Sequence, residues 1–136
     1  TSQNDIKVET TEELQPYLDE MIQTITEYDS SENVNCFYIN DQKEWFTVGV
    51  RNTYKNSIEA AELLGDENIS FIVDQEVITL KTSDAKLMLA KVQRYADNCS
   101  IVTAKHKIDV AKLTTSDAIK AFDYKSGYPD KLNFTI

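Results

Sequence analysis

Apolar residues recur every three or four positions between Ser83 and Leu113, which predicts one long amphipathic helix. Ser83 is the expected N-cap residue, and Asp84 follows in the first turn, where a negative charge suits the helix dipole. A straight helix of this length measures roughly 45 Å, more than the expected diameter of a compact domain of this size. We therefore expect either a break around residues 98–103, where helix formers are weak, or an end that another subunit covers. The predicted buried stripe consists of Met88, Val92, Tyr95, Cys99, Val102, His106, Val110 and Leu113.

Helical spacing also predicts three shorter helices, at residues 15–29, 51–64 and 118–124. Gly65 is the expected stop of the second helix, because glycine readily adopts the left-handed conformation that ends helices.

Segments rich in β-branched and aromatic residues predict the strands. Residues 34–40 and 44–50 are expected to form one hairpin, and residues 68–73 and 76–82 a second. Alternation over 132–136 predicts a C-terminal strand. The predicted fold class is α+β: two β-hairpins and a C-terminal strand packed with a long amphipathic helix and two or three shorter helices.

The first predicted strand is apolar on both faces, with Phe37 and Tyr38 pointing in opposite directions. Such a strand is either covered on both faces or presents a docking surface to another chain. Trp45 and Arg51 nearby are either an exposed recognition pair or, respectively, a core residue and a surface or helix-start residue. The candidate interaction residues are therefore Phe37, Tyr38, Trp45 and Arg51.

Length and charge narrow the class of protein further. A chain of 136 residues predicts a single domain, 1–136, with 1–14 as a loosely ordered N-terminal segment. The net charge of −9 repels nucleic-acid phosphates and anionic membrane surfaces. No apolar run approaches the roughly 20 residues of a membrane span. We therefore expect neither nucleic acid nor membrane among the partners.

Candidate catalytic chemistry is sparse. The single histidine, His106, follows Cys99 by seven residues, about 10 Å along a helix, which is too far for both to hold one metal ion or to form a nucleophile pair. We interpret His106 as a hydrogen-bonded core residue and the two cysteines, Cys36 and Cys99, as buried thiols. The sequence contains no glycine-rich phosphate loop and no hydrolase or zinc-protease motif. We predict no catalytic residue, no metal and no cofactor, and we do not expect an enzyme.

Four segments in order resemble a domain of unknown function from phage and prophage structural regions, most closely in gut anaerobes. They are YDSSENVNCFYINDQKEWF (28–46), the helix beginning at Arg51, VITLKTSDAKLMLAKVQRYADNCSIVTAKH (77–106) and FDYKSGYPDKLNF (122–134). The resemblance covers roughly residues 28–134 and carries no catalytic residues with it. The matching positions, which we interpret as fold-defining, are Trp45, Arg51, Tyr95, Cys99, His106, Tyr124, Gly127, Tyr128 and Pro129.

Proteins of this family often lie in tail-region or tail-fibre contexts. The resemblance therefore implies a non-enzymatic, virion-associated interaction module whose partner is a phage tail or tail-fibre protein. The alternative is a transient assembly chaperone for a tail fibre, absent from the finished particle. A homo-oligomer joined along the long helix is a further expectation, and the bacterial cytoplasm or the virion is the expected location.

Overall fold

The computed structural model describes residues 8–136, and the fold within them is α+β, as the sequence predicts. In chain order the elements are α1 (Thr11–Asp29), β1 (Phe37–Ile39), β2 (Gln42–Glu44), α2 (Val48–Leu64), β3 (Asn68–Val73), β4 (Glu76–Lys81), α3 (Thr82–Ala111), α4 (Ser116–Lys120) and β5 (Asn133–Phe134). None of the helices in this described part of the chain is both long enough and apolar enough to cross a bilayer.

Helix α1 begins four residues before the predicted start because Thr10 caps it. The Thr10 hydroxyl accepts a hydrogen bond from the backbone N–H of Glu13 at 3.1 Å and donates one to the Glu13 carboxylate. This pair satisfies an otherwise free backbone donor of the first turn. Residues 11–14 are thus helical rather than part of a loosely ordered segment, and residues 1–7 of that predicted segment lie outside the described residues.

The predicted strand over 44–50 is wrong, because helix α2 begins within it. The Thr47 hydroxyl accepts from the backbone N–H of Val50 at 3.3 Å, an N-cap that outweighs the β propensity of the neighbouring valines. The preceding strand, β2, extends only to Glu44. Gly65 ends the helix in the left-handed conformation, with φ of 74°, as predicted.

Both hairpins have two-residue turns in which both central residues have positive φ. Asn40 and Asp41 join β1 to β2, and Asp74 and Gln75 join β3 to β4. Such turns match the right-handed twist of the flanking strands. Strand β5 is shorter than predicted and pairs parallel with β1, so the order of the first sheet is β2-β1-β5.

Helix α3 runs without interruption from Thr82 to Ala111, so the predicted break around residues 98–103 is wrong. The weak helix formers there are held by packing, since Cys99 and Thr103 are both buried. Tertiary burial outweighs the small differences in helix propensity at such positions. The helix begins at Thr82, whose hydroxyl donates to the Asp66 carbonyl at 2.7 Å, and Ser83 lies within it.

The described chain divides into two compact units, and α3 contributes to both. Unit 1 contains residues 8–34 and 99–128, and its core is formed by Met21, Ile25, Val110 and Ile119. Unit 2 contains residues 35–98 and 129–136, and its core includes Phe37, Ile39, Phe46, Ile58, Phe71, Val73, Ala85, Met88 and Val92. Whether the units behave as the single domain expected from the sequence stays a prediction.

Candidate functional site

A groove of about 610 Å³ lies between helix α2 and the first half of α3, within unit 2. We call it the α2–α3 groove. Its apolar lining consists of Val48, Ile58, Leu89 and Ala90. Its polar lining consists of Arg51, Asn52, Lys55, Glu59, Glu62, Lys86 and Gln93.

Two contacts join the helices at opposite ends of the groove. Arg51 Nε donates to Gln93 Oε1 at 2.9 Å, and Lys86 Nζ donates to Glu62 Oε2 at 3.1 Å. The order of these pairs shows that the two helices run antiparallel. Arg51 and Glu62 lie about 16 Å apart along α2, so the bridges enclose roughly three helical turns.

The charges at the rim of the groove are already paired within the chain. Lys86 pairs with Glu62 across the groove, and Lys55 lies 4.0 Å from Glu59 on α2. Exposed pairs of this kind add little stability, but they leave a rim with both signs of charge. The groove is therefore suited to an apolar ligand surface with neutral or mixed polar edges rather than to a polyanion.

Arg51 holds one wall of the groove from inside the core. Its Nη1 donates to the Phe46 carbonyl at 2.6 Å, and its guanidinium lies 5.7 Å from the centre of the Trp45 ring. Burial lowers the pKa of Arg51, and the negative charge of Asp97 partly opposes this shift. The structure thus brings Trp45 and Arg51 together, but as a core contact: the prediction that Arg51 belongs to an exposed recognition pair is wrong, because the residue is buried.

Phe37 is also a core residue, which corrects its assignment as an interaction residue. Its side chain is fully buried, and it makes edge-to-face contacts with Trp45, Phe46 and Phe134. Tyr38 and Trp45 are half-buried. One face of strand β1, with Phe37 and Ile39, is therefore buried, and the other, with Tyr38, is half-buried.

Tyr95, one of the positions that match the phage domain, joins two segments of unit 2. The Tyr95 hydroxyl accepts from Lys131 Nζ at 2.7 Å, and its ring meets Trp45 edge-on at 6.0 Å. The contact ties the C-terminal segment to α3. Pro129, where this segment of unit 2 begins, is half-buried.

The matched positions of unit 1 lie around the last turns of α3. The hydroxyls of Tyr128 and Thr103 lie 2.7 Å apart, and the Thr103 hydroxyl also donates to the Asp29 carboxylate. Burial raises the pKa of Tyr128. His106 Nε2 lies 2.8 Å from the Ser126 carbonyl oxygen, which can only accept, so this nitrogen carries the proton. His106 is thus hydrogen-bonded, as the sequence predicts, but it is half-buried rather than a core residue.

Aromatic contacts complete this cluster. Tyr28 packs against both Tyr124 and Tyr128, with ring centres 5.5 and 5.7 Å apart. Gly127 precedes Tyr128 with φ of 89°, a conformation that glycine adopts without strain. Cys36 and Cys99 are both buried and are not joined in a disulfide, as expected for buried thiols.

A carboxyl pair that the sequence did not reveal is formed by Glu44, the last residue of β2, and Asp74, in the turn between β3 and β4. Burial raises the pKa of Glu44 to about 7, and the Asp74 carboxyl raises it further through a hydrogen bond and charge repulsion. Glu44 Oε1 is buried and accepts no hydrogen bond from any described residue. The two residues are thirty positions apart, and no local pattern indicates their contact. The raised pKa favours the protonated form of the Glu44 carboxyl.

Other chemistry is limited in the described part of the chain. Residues 8–136 contain no group of three or more histidine, cysteine or acidic side chains placed to hold a metal ion.

The groove was also missed at the level of sequence, although a signal existed. Val48, Asn52, Lys55, Glu59 and Glu62 recur at steps of three or four, and so share one face of α2.

Comparison with family models, with curated proteins and with solved structures finds no match to this chain.

Proposed function

We propose that this chain is a non-enzymatic interaction module of a phage or prophage tail, which holds a helical segment of a tail or tail-fibre protein in the α2–α3 groove. The observation that supports it is an apolar surface lying between two antiparallel helices, with rim charges that already pair within the chain. A partner gains there by burying apolar side chains and need not supply compensating charges.

A helix is the occupant that the dimensions favour. The bridges at the two ends of the groove leave roughly three turns between them, enough for apolar anchors at positions i, i+4 and i+7 of a bound helix. Val48 at one end of the groove is 63% exposed, so it is an apolar side chain that a partner could cover. A bound amphipathic helix would cover it while its polar face stays in water.

The phage context comes from the resemblance of residues 28–134 to the tail-region domain. Of the nine positions that match this domain, Arg51, Tyr95 and Cys99 are buried, Gly127 is exposed and the other five are half-buried, which is consistent with a role in holding the fold. Net charge supports a protein partner over nucleic acid, since −9 repels phosphates.

Binding assays with each purified tail-region protein encoded beside this chain test the proposal. We expect one of them to bind wild type, and Val48→Asp to weaken that binding at least about tenfold, because a carboxylate would be buried unpaired in an apolar contact. Val48 is exposed at the start of α2, where an acidic residue suits the helix dipole, so the variant should fold.

Leu63→Asp is the matched control, because Leu63 is an exposed leucine of α2 outside the groove. Its affinity should stay within about twofold of wild type. The proposal fails if no tail-region protein binds, or if both variants weaken binding equally. Mass spectrometry of purified particles then separates a resident module, whose peptides are present, from a transient assembly chaperone, whose peptides are missing.

A further inference from the structure

Helix α3 carries a second apolar stripe, on the face opposite its buried one. Leu87, Ile101 and Ile108 are 55%, 62% and 57% exposed. They follow a seven-residue repeat, in which Arg94 occupies the position between Leu87 and Ile101. All belong to one continuous helix, so the helix itself sets their spacing, and the stripe extends over about 32 Å.

Small residues fill the alternate positions of the same repeat. Ala90, Ala104 and Ala111 are exposed and each lies three residues after a member of the first set. Asp97 occupies the remaining place and pairs with Arg94 at 3.2 Å. The face therefore has the form of a coiled-coil seam, with large residues at position a, small ones at position d and one charged layer in the middle.

Basic residues flank the seam. Lys86, Lys91, Lys105 and Lys107 occupy the positions on either side, on a chain whose net charge is −9. Lys86 pairs with Glu62, whereas Lys107 on the same edge, like Lys91 and Lys105 on the other, forms no ion pair within residues 8–136, so both edges of the apolar stripe keep unneutralised positive charge.

These edges argue against a second copy of the chain as the occupant. An antiparallel pair of α3 helices would place Lys91 beside Lys105 of the other copy, and a parallel pair would place Lys86, which already pairs with Glu62, beside Lys91. Like charges facing each other across a coiled coil select against that pairing. The occupant must instead bring negative charge to both edges.

We propose that the outer face of α3 binds an acidic amphipathic helix of a partner protein, with apolar residues along the seam and glutamate or aspartate on both flanks. An acidic residue opposite Arg94 would fix the register, as polar layers do in coiled coils. This inference does not rest on the function proposed for the groove. The two surfaces adjoin at Ala90 and at Lys86, which contribute to both.

The test uses a synthetic helix of about four heptads, with leucine at a and d and glutamate at e and g. A second peptide with lysine at e and g is the control. We expect the wild-type chain to bind the acidic peptide at least about tenfold more tightly than the basic one, and to lose most of this preference between about 0.05 and 0.5 M salt, because screening removes the charge contribution.

Two variants locate the binding face. Ile101→Asp should weaken binding of the acidic peptide at least about tenfold, whereas Ile72→Asp, at an isoleucine exposed on strand β3, should leave it within about twofold. The double variant Lys91→Glu/Lys105→Glu should reverse the preference toward the basic peptide. Val48→Asp, in the groove, should leave peptide binding unchanged.

Equal affinity for the two peptides, or no affinity for either, would overturn the proposal. So would sedimentation of wild type as a dimer that Ile101→Asp dissociates, since the face would then pair with itself. Circular dichroism of each variant, with helix content equal to wild type, shows that altered binding does not come from unfolding.

Discussion

The carboxyl pair formed by Glu44 and Asp74 gives one residue a direct influence on stability near neutral pH. The pKa of Glu44 is raised from 4.5 to about 7 in the folded chain, first by burial and then by Asp74. A raised carboxyl pKa means that folding favours the protonated form. The contribution of Glu44 to the free energy of unfolding is therefore fully present below pH 4.5 and is lost as the pH rises through 7.

Glu44→Gln should remove this dependence, because the amide is neutral at every pH. We expect the wild-type free energy of unfolding to fall between pH 5 and pH 8 by about 1–2 kcal/mol more than that of the variant, a value that allows for solvent screening. Urea denaturation at several pH values measures the difference. Parallel pH profiles for the two proteins would show that Glu44 is ionised throughout this range.

At the scale of the element, the glycine at each end of α2 adopts a different backbone conformation. Gly65 caps the helix with φ of 74°, whereas Gly49 lies in its first turn without positive φ. A Cβ atom at either position would meet nothing within 4 Å, so packing does not enter the comparison. Only the backbone conformation distinguishes them.

Gly65→Ala should therefore destabilise the chain by about 1 kcal/mol, because alanine is strained in the left-handed region. Gly49→Ala should instead stabilise it by about 0.5 kcal/mol, since alanine loses less conformational freedom in a helix. Thermal or urea unfolding followed by circular dichroism gives both values. Changes of the same sign would show that the backbone account of this helix is incorrect.

At the scale of the whole molecule, α3 is the element that both compact units share. Ser100 is exposed and lies two residues past the point at which the helix passes from unit 2 to unit 1. Ser100→Pro would remove one backbone hydrogen bond and place the proline ring against the preceding turn, at a cost of about 3 kcal/mol.

We expect scanning calorimetry of wild type to show one transition and that of Ser100→Pro to show two, because each unit keeps its own core while the shared helix is interrupted. Ser100→Ala, which favours the helix, should keep one transition at an equal or higher temperature. A single transition for the proline variant would mean that the units unfold together without the continuous helix.

The sequence predicted the features that depend on neighbours within one turn. The helix over α3, the Asp74–Gln75 turn and the Gly65 stop all arise from local spacing or local backbone preference. The predictions at 44–50 and at the start of α1 were wrong, although both outcomes depend on local hydroxyl caps. The Thr47 hydroxyl starts α2 within a segment of high β propensity, and the Thr10 hydroxyl starts α1 before the first predicted helical residue. The predicted exposure of the Trp45–Arg51 pair failed because Arg51 is buried, with partners that include Gln93, 42 positions further along the chain.

The sequence by itself therefore determined the α+β class, most helices and the two hairpins, because hydrogen bonds between near neighbours and a hydrophobic periodicity specify them. The tertiary structure alone decided that Phe37 and Arg51 are buried, that Glu44 meets Asp74, and that α2 and α3 leave a groove between them. It also decided that Leu87, Ile101 and Ile108, on the face of α3 opposite the stripe that the sequence predicts to be buried, remain exposed. These outcomes depend on side chains that pack together from different elements, with separations in sequence from five positions for Arg51 and Phe46 to 42 for Arg51 and Gln93. Packing and desolvation set the energies of these contacts, and no local pattern records them.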